Sequence, residues 1–230
     1  MSTLIVLAKA PVPGRVKTRL CPPFTPDEAA ALAAAALDDT LELAAATGAD
    51  HRLLVLDGEP GVELRGAYLE RGFIRRPQIS GTLDVRLAGA FAAAARLDAG
   101  PALLIGMDTP QASTSVLDEA LRAMAWDPAA EGRCHDAAFG PAEDGGFWAL
   151  GLREPAHART TSLLLGVPMS APDTGAVQLR RLEKAGLEVL RLPMLRDVDT
   201  AGCAYAAAEL RPGSAFARRL AAIDTRTRSA

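Results

Sequence analysis

Apolar residues along this chain follow two rhythms. Short unbroken runs recur at residues 3–8, 52–56 and 101–106. Continuous rather than alternating hydrophobicity is what strands covered on both faces show. Between them lie longer stretches with apolar positions three and four apart. In residues 82–97, Leu83, Leu87, Ala90, Phe91 and Ala94 make one helical stripe. The clearest helix start lies at Thr25, an N-cap followed by Pro26 at the first helical position and Glu28 completing a capping box. That helix should run to about Ala46, with Gly48 closing it. Further helices are expected at 61–71, from a Ser115 cap to about 125, near 155–165 and 172–185, and at 201–210. Further strands are expected at 73–76, 135–139, 146–151 and 187–192.

Strands and helices alternate, which predicts an α/β domain with a mostly parallel, Rossmann-like sheet and helices on both faces. No repeat, low-complexity stretch or linker divides the chain. One domain is therefore expected over residues 1–224, followed by a flexible tail, 225–230. The first apolar run, Leu4 to Ala10 with Lys9 interrupting it, is too short for a signal peptide or a membrane span. A buried first strand is the better reading.

Composition narrows the function classes. The chain has 230 residues and a formal net charge of −3, which argues against a general nucleic-acid binder. Hydrophobic residues reach 49%, but alanine supplies much of that and aromatics only 4%. Ala-rich helices on a Leu/Val sheet follow. Cys21, Cys134 and Cys203 are far apart with no CxxC pair, which fits a reducing, cytoplasmic setting better than a disulfide framework or zinc. His51, His135 and His157 lie on different elements, and Trp126 and Trp148 are too few for a stacking platform.

In open parallel sheets ligands bind beyond the carboxyl ends of the strands. The loop AKAPVPGRVKTRL after the first strand sets Lys9, Arg15, Lys17 and Arg19 close together, with Gly14 allowing a sharp turn and prolines stiffening it. Such a loop suits a di- or triphosphate, and equally an ordinary solvated surface. It is neither a Walker loop nor GxGxxG. Gly106-Met107-Asp108-Thr109-Pro110 leaves the end of a buried strand, where Asp108 can hold a metal or cap a turn. Glu143-Asp144-Gly145-Gly146-Phe147 can present a carboxylate beside bare backbone to an acceptor, or form a plain hairpin turn. In Asp197-Val198-Asp199-Thr200 both acids share one side, to complete a metal site or to cap the next helix.

Taken in order, these motifs resemble a bacterial family of glycosyltransferase-like proteins with the nucleotide-diphospho-sugar transferase (GT-A) fold, formerly a domain of unknown function. AKAPVPGRVKTRL and GPAEDGGFWALGL are the most specific stretches, and the likeness covers roughly residues 4–210. Residues 81–87 match a family segment with Asp84 and Leu87 departing from it, and residues 166–170 match another with Met169 replacing an aromatic. The N-terminal half is also similar to 2-phospho-L-lactate guanylyltransferases. The resemblance implies a single-domain three-layer α/β/α sandwich. It implies a metal-dependent transferase, with Mg²⁺ or Mn²⁺ on Asp108 and Asp199, Asp197 standing in for the latter. Lys9, Gly14, Arg15, Lys17, Arg19, Gly81 and Arg86 would bind the nucleotide or its phosphates. Asp144 would serve catalysis beside Asp108, with Glu143, Gly145, Gly146 and Phe147 on the acceptor side. The partners would be a nucleotide or nucleotide-sugar donor and a small-molecule acceptor, with a homodimer left open. Glycosyl transfer is favoured; nucleotidyl transfer from a nucleoside triphosphate to a phosphorylated small acid, releasing pyrophosphate, is the alternative, and a non-catalytic nucleotide-binding domain the second.

Overall fold

The computed structural model describes residues 1–125 and 134–229, with side chains as far as residue 225. Trp126 lies outside the described residues. The apolar runs form β1 (Thr3–Lys9), β2 (His51–Asp57), β3 (Ile74–Pro77), β4 (Ala102–Gly106), β5 (Ala137–Pro141), β6 (Phe147–Leu152) and β7 (Val189–Arg191). They make one seven-stranded sheet in the order β3-β2-β1-β4-β6-β5-β7. Every pairing is parallel except those of β6, which runs against β4 and β5. The chain steps outward from β1 to β3, then crosses to β4 on the other side of β1. That reversal opens a crevice at the carboxyl ends of β1 and β4, the position where such sheets take ligands.

Alternation along the strands feeds two cores. Leu4 and Val6 of β1 pack with α1 (Pro26–Ala45), α2 (Val62–Glu70) and α4 (Thr114–Met124) on one face, through Leu37, Tyr68 and Leu117. Ile5 packs on the other face with α3 (Leu83–Ala95), α5 (Thr160–Leu164) and α6 (Thr174–Lys184), through Phe91, Leu163 and Leu182. The predicted mostly parallel α/β/α sandwich is therefore what the chain forms. The capping box forms as well: Glu28 N donates to Thr25 Oγ1 at 3.3 Å, and Thr25 N donates to Glu28 Oε2 at 2.8 Å.

Four local readings differ from the structure. Ser113, not Ser115, caps α4, accepting from Val116 N at 3.4 Å. The helix expected near 155–165 is only Thr160–Leu164, with turns before it. Of the hairpin strands, β5 begins two residues later than expected, and β6 one residue later because Gly146 belongs to the turn. Last, α7 (Ala201–Leu210) is followed by an unpredicted α8 (Ala215–Ser229), so helix continues into the expected tail.

Helix α8 has a physical explanation. Its apolar stripe, Phe216, Leu220 and Ile223, packs with α7 on the outer face of α1, against Leu32 and Ala36. Its first amides would otherwise be orphaned. The buried Asp39 of α1 accepts from Ala215 N and Phe216 N, both at 2.8 Å. Ser214 Oγ accepts from Ala217 N at 3.0 Å. A carboxylate at a helix N-terminus also complements the dipole there. Among the described residues no helix is long and apolar enough to cross a membrane, and Cys21, Cys134 and Cys203 are free.

Candidate functional site

The loop leaving β1 reaches a short 3-10 turn, Thr18–Leu20, and Lys17 just before it adopts left-handed backbone with φ 49° and ψ 36°. Leu20 is fully buried among the α7 and α8 residues and pins the loop from behind. This geometry sends the Lys17 side chain inward, where it is only 7% exposed. Its ammonium lies 2.8 Å from Asp108 Oδ1, 3.3 Å from Asp199 Oδ1 and 2.5 Å from the Val198 carbonyl. Arg19 reaches the second oxygen, Oδ2, of Asp199 at 3.1 Å, but it is 75% exposed, so that pair contributes little.

Two walls hold this arrangement. Asp108 follows β4, and its carbonyl accepts from Val198 N at 3.0 Å. Gln111 Nε2 donates to the Arg196 carbonyl at 2.5 Å. The 196–199 segment is thereby laced to the loop after β4, while Val198 is buried in the cluster that also holds Leu20. Thr200 caps α7 by accepting from Cys203 N at 3.3 Å, which leaves Asp199 to face the lysine.

The electrostatics follow from crowding. Burial pushes Lys17 toward its neutral form, but the pull of Asp108 and Asp199 outweighs it, and its pKa is raised. Asp197 has no such advantage. Burial first, then the charges of Asp108 and Asp144, push its carboxyl up to about 7, with Lys17 pulling down and Asp199 pushing up again. The crevice is acid-rich and carries one buried internal cation.

The Glu143-Asp144 turn is placed beside this cluster. It is the hairpin between β5 and β6, closed by Gly145 N donating to the Ala142 carbonyl at 3.1 Å. Asp144 Oδ1 accepts from Gly146 N at 2.8 Å, and Glu143 Oε2 accepts from Arg196 Nε at 2.6 Å. The backbone at these glycines is not bare, contrary to the sequence expectation. Gly145 has φ +89°, and a Cβ there would lie 1.8 Å from the Pro172 carbonyl oxygen. A Cβ on Gly175 of α6 would lie 2.3 Å from the Gly146 oxygen. These glycines let the start of α6 press on the turn, and Gly175 N donates to the Gly145 carbonyl at 2.8 Å. Phe147 is half-buried against Phe139, ring centroids 5.6 Å apart, and Trp148 points to the other face, its Nε1 donating to the Pro193 carbonyl at 2.9 Å.

Gly81 and Arg86 form a separate group beyond β2 and β3. Arg86 pairs with Asp57 Oδ2 at 2.9 Å and donates to the Gly81 carbonyl at 2.9 Å. Gln78 Nε2 donates to the Ala8 carbonyl at 2.7 Å, joining this group to the end of β1. Lys9 and Arg15 are exposed, and Gly14 turns with φ +72°. The structure thus brings together Lys17, Arg19, Asp108, Asp197 and Asp199, with Asp144 close enough to act on Asp197. Gln111, Asp57 and Gln78 were not picked out from sequence. Asp57 ends a buried strand much as Asp108 follows one, and that signal was available.

The donor set fits a divalent ion. Asp108 Oδ1, Asp199 Oδ1 and the Val198 carbonyl face one point that a positive group already holds, and all are oxygens. Among the described residues no three Asp, Glu, His or Cys side chains converge as a metal site by themselves. Two carboxylates completed by phosphate oxygens and waters is the set Mg²⁺ or Mn²⁺ takes, and no imidazole or thiolate favours zinc.

A family model described as an uncharacterized protein conserved in bacteria (DUF2064) matches residues 40–171. No curated protein matches the chain. Among solved structures, a protein from Desulfovibrio desulfuricans G20, provisionally described as a nucleotide-diphospho-sugar transferase, superposes with TM-score 0.82 at 25% identity, covering 99% of this chain and 97% of that one. A CMP:2-keto-3-deoxy-manno-octonic acid synthetase complexed with CTP matches with TM-score 0.56 at 13% identity, over 92% of this chain and 98% of that one. A nucleotidyl transferase from Methanothermobacter thermautotroptrophicus matches with TM-score 0.57 at 13% identity, over 90% and 96%. The two more distant matches bear on the fold alone.

Proposed function

Because the chain belongs to the bacterial DUF2064 family, and its fold is shared with nucleotide-using transferases, we propose that it transfers a group from a nucleotide-activated donor. The preferred reaction moves a sugar from a nucleotide sugar to a small hydroxyl-bearing acceptor. One observation carries the reading: carboxylates from two remote segments, Asp108 and Asp199, face a single cation position in the β1–β4 crevice. The basic loop beside it, with Arg15, Lys17 and Arg19, supplies the charge a diphosphate needs.

Asp108 and Asp199 would hold a divalent ion, which would offset the charge growing on the leaving phosphate. Arg15 and Arg19 bind and orient the diphosphate. The acceptor hydroxyl oxygen bonds to the sugar's anomeric carbon, the bond from that carbon to phosphate breaks, and a nucleoside diphosphate leaves. The hydroxyl proton passes to a carboxylate, assigned here to Asp144, which acts on the acid cluster from the turn above. Nucleotidyl transfer is the second reading, favoured by the fold shared with the synthetase and the nucleotidyl transferase. There pyrophosphate leaves instead.

Incubating the protein with nucleotide sugars and with nucleoside triphosphates, with Mn²⁺ or EDTA, separates these readings. Nucleoside diphosphate release supports sugar transfer, and pyrophosphate release supports nucleotidyl transfer. Binding without either product points to a non-catalytic domain. Arg19→Ala should weaken nucleotide binding by about 1.5–3 kcal/mol, the worth of a charged hydrogen bond. Asp108→Ala should abolish the dependence of binding on Mn²⁺, measured by calorimetry. Equal nucleotide affinity in Mn²⁺ and EDTA for the unaltered protein would remove the ion from the scheme.

A further inference from the structure

We infer that the Lys17 ammonium and the divalent ion take turns at one position: Lys17 fills it in the nucleotide-free protein, and the ion enters only when a polyphosphate draws Lys17 away. The inference rests on the assignment of Asp108 and Asp199 as the ion's carboxylates, and it adds the order of binding.

The geometry carries it. The ammonium donates to the Val198 carbonyl at 2.5 Å and to Asp199 Oδ1 at 3.3 Å, and it forms an ion pair with Asp108 Oδ1 at 2.8 Å. The ammonium sits at the point these oxygens face, and Asp108 Oδ1, buried and without a hydrogen bond, is held there by charge alone. A divalent ion arriving alone would have to sit against the ammonium or expel it from a pocket where it is 7% exposed. Expelling it returns hydration to the ammonium but gives up its pairing with two carboxylates, and puts no anion in their place. A di- or triphosphate changes this balance, because it offers Lys17 new anionic oxygens and brings its own ion. The exchange then leaves no carboxylate without a cation and no cation without an anion.

The backbone is set for such an exchange. Lys17 is one of two non-glycine residues with positive φ among those described, the other being Ser170. Left-handed backbone at such a residue is held only when surrounding contacts favour it; here Leu20 N donates to the Lys17 carbonyl at 2.9 Å, and the ammonium's contacts add to that hold. Arg19, exposed and already on Asp199, can follow the same phosphates.

The test uses Mn²⁺ alone, followed by the loss of its free-ion electron spin resonance signal. The wild-type protein should bind Mn²⁺ alone weakly, and Lys17→Met, which keeps the length but removes the charge, should bind it at least about tenfold more tightly. Lys17→Gln, which keeps a donor for the Val198 carbonyl, should show the same gain. Equal Mn²⁺ affinity in the wild type and both variants overturns the inference. A second measurement needs no variant. Reductive methylation of the wild type, read by mass spectrometry, should find Lys17 at least about tenfold slower to react than the exposed Lys9, with or without Mn²⁺. Adding inorganic pyrophosphate together with Mn²⁺ should make the protein retain the ion. A Lys17 that methylates as fast as Lys9, or that Mn²⁺ alone makes reactive, overturns the inference. If no nucleotide or nucleotide sugar binds at all, the proposed function fails, while the Mn²⁺-alone and methylation results still decide this point.

Discussion

The β1–β4 crevice and the β5–β6 turn both present acids beside residues that bend the chain, yet they spend those acids differently. In the turn, Asp144 is held by an amide two residues away and Glu143 by Arg196 in the adjoining strap. In the crevice, Asp108 and Asp199 come from segments far apart in sequence and face a lysine from a third. The turn is wedged by backbone, since Pro172, just before α6, presses on Gly145 and the start of α6 presses on Gly146. In the crevice the walls are laced by hydrogen bonds, but the two acids meet around a charge that a ligand can replace. Acids held each by one fixed partner build the frame; two acids gathered around one cation are those free to change partners.

The largest expected effect tests the wedge. Gly145→Ala puts a Cβ 1.8 Å from the Pro172 oxygen at a backbone φ of +89°. It should cost about 3 kcal/mol or more in urea unfolding, the range for overpacking combined with a disallowed backbone. A loss below about 1 kcal/mol would mean the turn yields, and the contrast with the crevice would fade.

Asp197→Asn comes next and concerns the crevice. The folded carboxyl is pushed up to about 7, above its unfolded value near 3.9. The folded state therefore holds this proton more tightly, and the wild type loses stability as pH rises from about 4 to about 7. The variant should escape that loss. In EDTA its melting temperature should match the wild type near pH 4 and exceed it by several degrees near pH 8. Parallel curves for the two proteins would show that Asp197 is not crowded by its neighbours.

The smallest stability effect sharpens the comparison. Asp144→Asn keeps an oxygen for Gly146 N, so unfolding free energy should change by no more than about 0.5 kcal/mol. Turnover should fall by about 10²–10⁴ if this carboxylate takes the acceptor's proton. Normal turnover would make Asp144 a turn residue only.

The buried strands, the capping box at Thr25 and the sheet's parallel character were legible because each rests on local pattern. The two crevice acids were legible as well, since strand ends and the Asp-x-Asp spacing mark them. The direction of Lys17 was not. Its sequence context offers phosphates and solvent equally, and only the left-handed backbone and the pairing across some 180 residues turn it inward. The glycines of the turn were read as bare backbone because sequence cannot show that the chain entering α6 returns to cover it. Helix α8 was missed because its stripe is only Phe216, Leu220 and Ile223, among polar residues, and its cap comes from Asp39 on another helix.

Leu20 and Val198 share one apolar cluster with Phe216, Leu220 and Ile223 of α8. The first sits behind the lysine loop and the second lies between the acids of the opposite wall. Local unfolding of α8 would slacken both walls in a single event. Anything that bridges the walls must then be released before α8 can open, so its binding free energy adds to the free energy of that opening. The amides of α8, on the far side of α1 from the sheet, thereby become reporters of occupancy in the crevice, slowing their exchange with solvent deuterium when it is filled.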